Sequence, residues 1–270
     1  MLVRHRPEFE EPGYHVVLDG AAHHLARLSL SMVVTRSDGD PVGFANGPEE
    51  AALVVLEGAV DVTVDGRTFF AVGGRTSVFE APGSLVYAPV EAEVTVRSVT
   101  PAARVAVCRA KAATRRAPFV VRGEEVAPVL RGGAQWRREV RDLLVANGAG
   151  RVDGLVVGET INYPGEWSGW PPHRHQAHRP PEEAAFEELY YYRVDPPQGF
   201  GIQVHYGSAW HEDEAYLVRD RDAFAIPDGY HPTVAAGGYR LYYLWFMAGP
   251  SGRELVPYED PAHRWTKAAT

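Results

Sequence analysis

Six of the eleven histidines in this 270-residue chain fall between positions 173 and 231. The segment Pro171-Pro-His-Arg-His175 sets two imidazoles at i and i+2. On an extended strand that spacing aims both rings at one face, where they can ligate a single ion such as zinc, iron or manganese. A carboxylate is at hand among Glu182, Glu183, Glu187 and Glu188, and a third imidazole, His231, follows the turn Pro227-Asp-Gly-Tyr230. Gly229 would supply the positive φ that turns His231 inward. A lone His-x-His says little. Three histidines and a carboxylate in a strand-rich half of the chain describe a metal centre with open coordination positions. His178 and His211 read as exposed loop residues; His5, His15, His23, His24 and His263 show no metal role.

The elements that must position these groups are strands. In the first half, Ala52-Leu-Val-Val-Leu56 is a continuous apolar run, and Val60-Asp-Val-Thr-Val64 alternates ahead of the hairpin signal Asp65-Gly66. Ser77–Phe79, Leu85–Tyr87, Val94–Val96 and Arg104–Arg109 follow, punctuated by Gly and Pro. Residues 134–146 carry Trp136, Val140, Leu143 and Leu144 at helical spacing before Asn147-Gly148, which predicts one short helix. Candidate strands resume at 154–161, 187–194, 201–206, 214–219, 222–226 and 239–247. Phe79–Pro89 and Phe224–Pro232 share a rhythm of strand end, proline turn and new strand, so two copies of one β-architecture are expected. The division reads as 1–130, a connecting helix at 131–150, and 151–270.

Composition narrows the function. With 45% hydrophobic and 23% charged residues, the chain has material for a sizeable core. Lys plus Arg is 27 and Asp plus Glu 35, so the net charge is 27 − 35 = −8, without the basic footprint of a nucleic-acid binder. One cysteine, Cys108, in an apolar run, excludes an internal disulfide and suits a reducing compartment. The opening residues form no signal-peptide segment, and no stretch approaches the ~20 apolar residues of a membrane span. A cytoplasmic protein acting on a small molecule, with no membrane partner, is expected. Edge strands in a two-barrel chain make a homo-oligomer the expected state.

His-x-His, then Glu, then Pro-x-Gly-x-His is the ligand order of a cupin barrel. Longer strings make the resemblance specific: Trp167-Ser-Gly-Trp-Pro-Pro-His-Arg-His175, Glu187-Glu-Leu-Tyr-Tyr-Tyr-Arg-Val-Asp195, Ile226-Pro-Asp-Gly-Tyr-His-Pro232, Gly238–Pro250 and Asp260–Trp265. The chain resembles the 5-deoxy-glucuronate isomerase family of myo-inositol catabolism, which is related to the uronate isomerases of pectin breakdown. The likeness spans nearly the whole chain and is strongest from 156 to 265. It implies an all-β fold of two cupin, jelly-roll-type barrels, the first without metal. It also implies aldose–ketose isomerisation of 5-deoxy-D-glucuronate to 2-deoxy-5-keto-D-gluconate on a divalent metal, with zinc first and manganese or iron as alternatives. His173, His175 and His231 match three ligands. Glu188, directly ahead of the tyrosine strand and in phase with Tyr190 and Tyr192, takes the fourth place.

A base must move a proton between adjacent carbons, and Glu187, Tyr190, Tyr192 and His205 are the candidates. A cation must hold the substrate carboxylate. Arg193 and Arg174 are available, although both have the wrong strand parity. Gln203 and Trp170 are further substrate-contact candidates. The sequence leaves three competitors: a cupin dioxygenase with the same ligands, a 4-deoxy-5-keto-uronate isomerase, and a non-catalytic storage protein, which the ligand set disfavours.

Overall fold

The alternating run becomes the strand Ala59–Val64, with its valines buried, and Asp65-Gly66 becomes a two-residue turn with φ of 49° and 80° leading into Arg67–Gly73. That twisted hairpin is typical of a chain whose regular structure is almost entirely strand. The computed structural model describes residues 1–250 and 252–269. Among them there is no α-helix, only short 3-10 turns, and no helix long and apolar enough to cross a membrane.

Four sheets stack in sequence. An outer four-stranded sheet (Val42–Ala45, Ala59–Val64, Arg67–Gly73, Glu93–Ser98) faces a six-stranded one built on Leu28–Arg36, Glu49–Glu57, Leu85–Ala88 and Ala102–Lys111. The second half repeats the plan. A seven-stranded sheet runs in the order Leu2–Val3, Ala223–Ile226, Glu187–Asp195, Arg240–Ala248, Val156–Asn162, Arg138–Leu144, Val129–Arg131. A four-stranded sheet of Trp167–Ser168, Thr233–Ala235, Gly201–His205 and Glu214–Val218 accompanies it. Each half is therefore a jelly-roll pair of sheets rather than a closed barrel, as the repeated rhythm of the sequence suggested.

Strand alternation distributes the core. Val33, Leu53, Val55, Val86, Val105 and Val107, with alanines and Phe69, fill most of the first half's interior, and buried Arg109 bonds Asn46 at one end of it. Their alternating neighbours Leu30, Met32, Val54, Leu56, Tyr87 and Cys108 pack against Leu189, Tyr191, Tyr242, Leu244 and Phe246 of the seven-stranded sheet. The two halves thus share one large core, and Cys108 is buried in it.

Buried ions stitch this junction. Glu159, fully buried, accepts from Arg75 Nη2 at 2.6 Å, Tyr242 Oη at 2.9 Å, the Gly83 amide at 3.1 Å and Arg141 Nη1 at 3.5 Å. Glu50, also fully buried, accepts from Tyr87 Oη and from the amides of Asp153, Gly154 and Leu155, all within 2.8 Å.

Two expectations are corrected. Residues 134–146 are not a helix: after Gly132-Gly133 the chain runs as the strand Arg138–Leu144, paired with Val129–Arg131 and Val156–Asn162. Positions 136, 140 and 144 fit a two-residue period as well as a helical one, and an irregularity between Asp142 and Leu144 lets Leu143 and Leu144 both be buried. Ser77–Phe79 is a turn, closed by Thr76 Oγ1 donating to Glu80 at 2.7 Å and by the Glu80 amide on Ser77 O at 3.2 Å.

Candidate metal centre

Residues directly opposite one another in a sheet share a face. The rows Val140–Thr160–Tyr243–Tyr192, Gly158–Trp245–Tyr190 and Val156–Met247–Glu188 therefore present their side chains to the inside of the second jelly roll. Glycine is required at 158, because a Cβ there would collide with the Trp245 ring. Seated over it, the indole donates to Thr160 Oγ1 at 3.1 Å.

Above this face the three histidines converge. His173 lies on the strand His173–Arg174, held by Tyr258–Glu259, and His175 follows it. Gly229, at φ 78°, turns His231 inward; a Cβ there would press on Tyr206 O and the His205 ring. The ligand atoms of His173, His175 and His231 lie within 4.8 Å of one another. Glu188 Oε2 lies 3.0 Å from His175 Nε2 and 3.1 Å from His231 Nε2.

The backbone settles which nitrogen faces the centre. His175 Nδ1 meets Phe186 O at 2.8 Å, and His231 Nδ1 meets Gly229 O at 2.9 Å. A carbonyl only accepts, so in the neutral rings Nδ1 carries the proton and Nε2 offers a lone pair. Two lone pairs and a carboxylate oxygen then face one another in a buried space, and His231 Nε2 has no hydrogen-bond partner. A cation among them removes that repulsion. With Glu188 Oε2 at 3.0 and 3.1 Å from two ring nitrogens and the three histidine donors within 4.8 Å of one another, these groups are close enough to share one ion. The donor set fits a divalent metal.

Electrostatics agree. Burial, with His231 and His175 nearby, drives the His173 imidazole down to about 3. Burial works to raise the Glu188 carboxyl, but the His175 and His231 rings beside it outweigh that and hold it at about 2, and Glu188 in turn raises His175, so without an ion a proton can take the place of the cation between them. His173 and Glu188 thus stand ready as deprotonated donors at neutral pH.

The cavity in front of these donors is lined by Arg138, Val140, Thr160, Phe186, Tyr190, Tyr243, Trp245 and Met247, with Leu255, Val256 and Pro257 at one wall. Of the groups proposed from sequence, His173, His175, Glu188 and Tyr190 line it, and His231 meets them at Glu188. Tyr190 Oη donates to Glu188 Oε2 at 3.3 Å.

The other candidates have different duties. Glu187 points the opposite way and accepts the amides of Ala26 and Arg27 at 2.8 and 2.9 Å, docking the first half. Tyr192 Oη donates to Gln203 Oε1 at 2.6 Å, while the Gln203 amide nitrogen donates to His231 O at 2.9 Å, so this pair braces the ligand turn from beneath. Arg193 is ion-paired with Glu57 and, at 2.9 Å, with Asp220. Arg174 points outward over Tyr230 and Tyr258, 3.6 Å from Glu183. Trp170 packs outside the cavity with Trp167, Trp136 and His263, whereas Trp245 does wall the cavity. Glu183 is buried in the 176–186 loop, where it caps the Gln176 and Ala177 amides.

Sequence reasoning missed Arg138, Thr160 and Tyr243. Tyr243 and Trp245 alternate in phase along Arg240–Ala248, a signal that was readable. Arg138 was hidden by the helical reading of its strand.

His205 lies behind the ligand turn, with Nε2 2.6 Å from Asp228 O and a buried Nδ1 without a partner. Burial lowers it to about 3. The folded chain then binds fewer protons than the unfolded chain between that value and the ordinary 6.5. Stability from this site is complete above about pH 6.5 and drains away as the pH falls toward 3. Denaturant midpoints of the metal-free protein should fall from pH 7 to pH 5. That slope should shrink in His205→Gln, and an unchanged slope would refute the assignment.

Solved structures share this architecture. An IolB-like protein from Salmonella typhimurium LT2 matches with a TM-score of 0.86 and 30% identity, over 94% of this chain and 95% of that one. Oxalate decarboxylase from Lactobacillus farciminis, at 10% identity and TM-score 0.61 over 86% of this chain and 79% of that one, shares the fold. Curated relatives named 5-deoxy-glucuronate isomerase are 36% identical in Halalkalibacterium halodurans (80% of each chain) and 35% identical in Bacillus subtilis (80% of this chain, 79% of that one). With the KduI/IolB family model matching residues 2–266 as well, the chain belongs to the KduI/IolB family.

Proposed function

We propose that this protein is a metal-dependent sugar-acid isomerase that converts 5-deoxy-D-glucuronate to 2-deoxy-5-keto-D-gluconate. The observation that carries the reading is the convergence of two carbonyl-locked imidazole lone pairs, His173 and Glu188 on one point, in a chain of this family. His173, His175, Glu188 and His231 would hold a divalent ion, zinc first, with manganese or iron also suited to the same donors. Such an ion supplies Lewis acidity toward a carbonyl and its neighbouring hydroxyl oxygen.

The chain's own part is to bind, to exclude water and to handle a proton between adjacent carbons. Phe186, Trp245, Met247 and Val256 wall off solvent. Tyr190 and Tyr243 face the cavity with rings 4.5 Å apart. Burial raises both hydroxyls above the ordinary tyrosine range, Tyr190 well above it, so both hold their protons at neutral pH; Tyr243 can donate to a developing oxyanion, while the Tyr190 proton goes to Glu188. Tyr243 Oη is steered by Ser168 Oγ at 2.7 Å. The exposed edge strand Val129–Arg131 favours self-association, in keeping with the expected homo-oligomer.

The test is bound metal by mass spectrometry together with NMR of 5-deoxy-glucuronate in deuterated water. Metal-dependent ketose is expected, with solvent deuterium if a proton rather than a hydride moves. Metal-loaded protein that leaves the substrate untouched and consumes oxygen would overturn the reading in favour of an oxygenase.

A further inference from the structure

Where an arginine is fully buried among the described residues, it meets a carboxylate. Buried Arg75, Arg104, Arg109 and Arg141 meet Glu159, Glu10, Glu49 and Glu139, and Arg193 meets Glu57 and Asp220. Arg131, at the cavity rim, lies 3.6 Å from Asp142. Half-buried Arg253 has no carboxylate but donates to three backbone carbonyls.

Arg138 is different. It lines the metal-donor cavity, half-buried, and its one hydrogen bond runs from Nη1 to Trp136 O at 3.2 Å. Among the described residues no carboxylate lies within ion-pair reach of it. The charges and dipoles that its guanidinium feels are Arg131, Tyr190 and Tyr243, and its own field reaches His173. A partly desolvated cation that faces a cavity without a counterion is costly, and an anionic ligand in that cavity would offset the cost.

We infer that Arg138 receives the carboxylate of the substrate and is the residue that selects sugar acids over neutral sugars. This rests on the sugar-acid isomerase reading. A hexuronate carries its aldehyde and its carboxylate at opposite ends of the carbon chain. With the aldehyde end at the histidines, the acid end needs a cation across the same cavity. Arg138, on the far strand of that sheet face, provides one. Its planar fork matches a carboxylate with two parallel hydrogen bonds. Glu188 is the cavity's one carboxylate, and it is committed to the histidines.

The test compares zinc-loaded wild type, Arg138→Met and Arg138→Gln. Binding of 5-deoxy-glucuronate and of its neutral methyl ester is measured by calorimetry, beside zinc content and steady-state kinetics. Wild type should prefer the acid about tenfold to a hundredfold, and both variants should lose that preference with zinc content unchanged. KM for the acid should rise far more than kcat falls, and guanidinium ion should restore part of the loss in Arg138→Met. An acid preference that survives in a variant would overturn the assignment. So would a wild-type protein that binds acid and ester equally, an outcome that needs no variant to fold. Failure of the isomerase reading looks different: acid-selective binding that depends on Arg138, without turnover.

Discussion

His175→Ala should lower bound metal from about one ion per chain to a trace and cut turnover by about a thousandfold or more. Loss of a residue that merely orients a ligand already costs 10–100-fold in affinity, and loss of a ligand costs more. Lewis-acid stabilisation worth several kcal/mol corresponds to about three orders of magnitude in rate. The substitution also removes one of the two imidazoles that face Glu188, and the Phe186 carbonyl loses its buried partner. His178→Ala, on the exposed part of the 176–186 loop, should retain both metal and activity. Mass spectrometry of the metal and the NMR assay read both proteins. Full metal occupancy in His175→Ala would remove this imidazole from the ligand set.

Glu159→Gln should be the most damaging single change away from the centre. It keeps the shape of the side chain but leaves the Arg75 guanidinium, buried at the junction of the halves, without a counter-charge; Arg141 retains Glu139 at 2.6 Å. Breaking a buried pair in this way costs about 3–5 kcal/mol, enough to lower Tm by roughly 10 °C in a chain of this size. Replacing both partners, Arg75→Met with Glu159→Leu, should be milder than the single change, because no charge is then stranded. Calorimetry of the three proteins decides it. Equal losses in the single and double variants would show that packing, not charge, holds the junction.

What could be read in advance depended on spacing. His173 and His175 at i, i+2, and His231 after a proline–glycine turn, carry their geometry in the sequence, because strand parity and a positive φ are local properties. Parity and family likeness select Glu188 over Glu187, and the two do point to opposite faces. Arg138 was not legible, because Trp136, Val140 and Leu144 satisfy helical and extended periods alike; pairing with Val156–Asn162 decides between them, and that is a long-range fact. Arg193 illustrates the converse. A guanidinium beside the tyrosine strand suggested a substrate contact, but Glu57, 136 residues away in sequence, occupies it. The junction ions could not be foreseen either, because each joins segments whose proximity only the fold creates.

The adjacent pair Glu187 and Glu188 constrains how this protein can change over time. One carboxylate grips the amides of residues 26 and 27 while its neighbour faces the histidines, so a single strand carries both the docking of the halves and the chemistry. A one-residue insertion or deletion there would exchange the two faces. Chimeras that splice the first half of one relative onto the second half of another inherit the same restriction. Unless the graft returns two amides to the same place, it drags the strand and displaces the fourth donor. The first half therefore has to diverge in step with the second rather than as an exchangeable module.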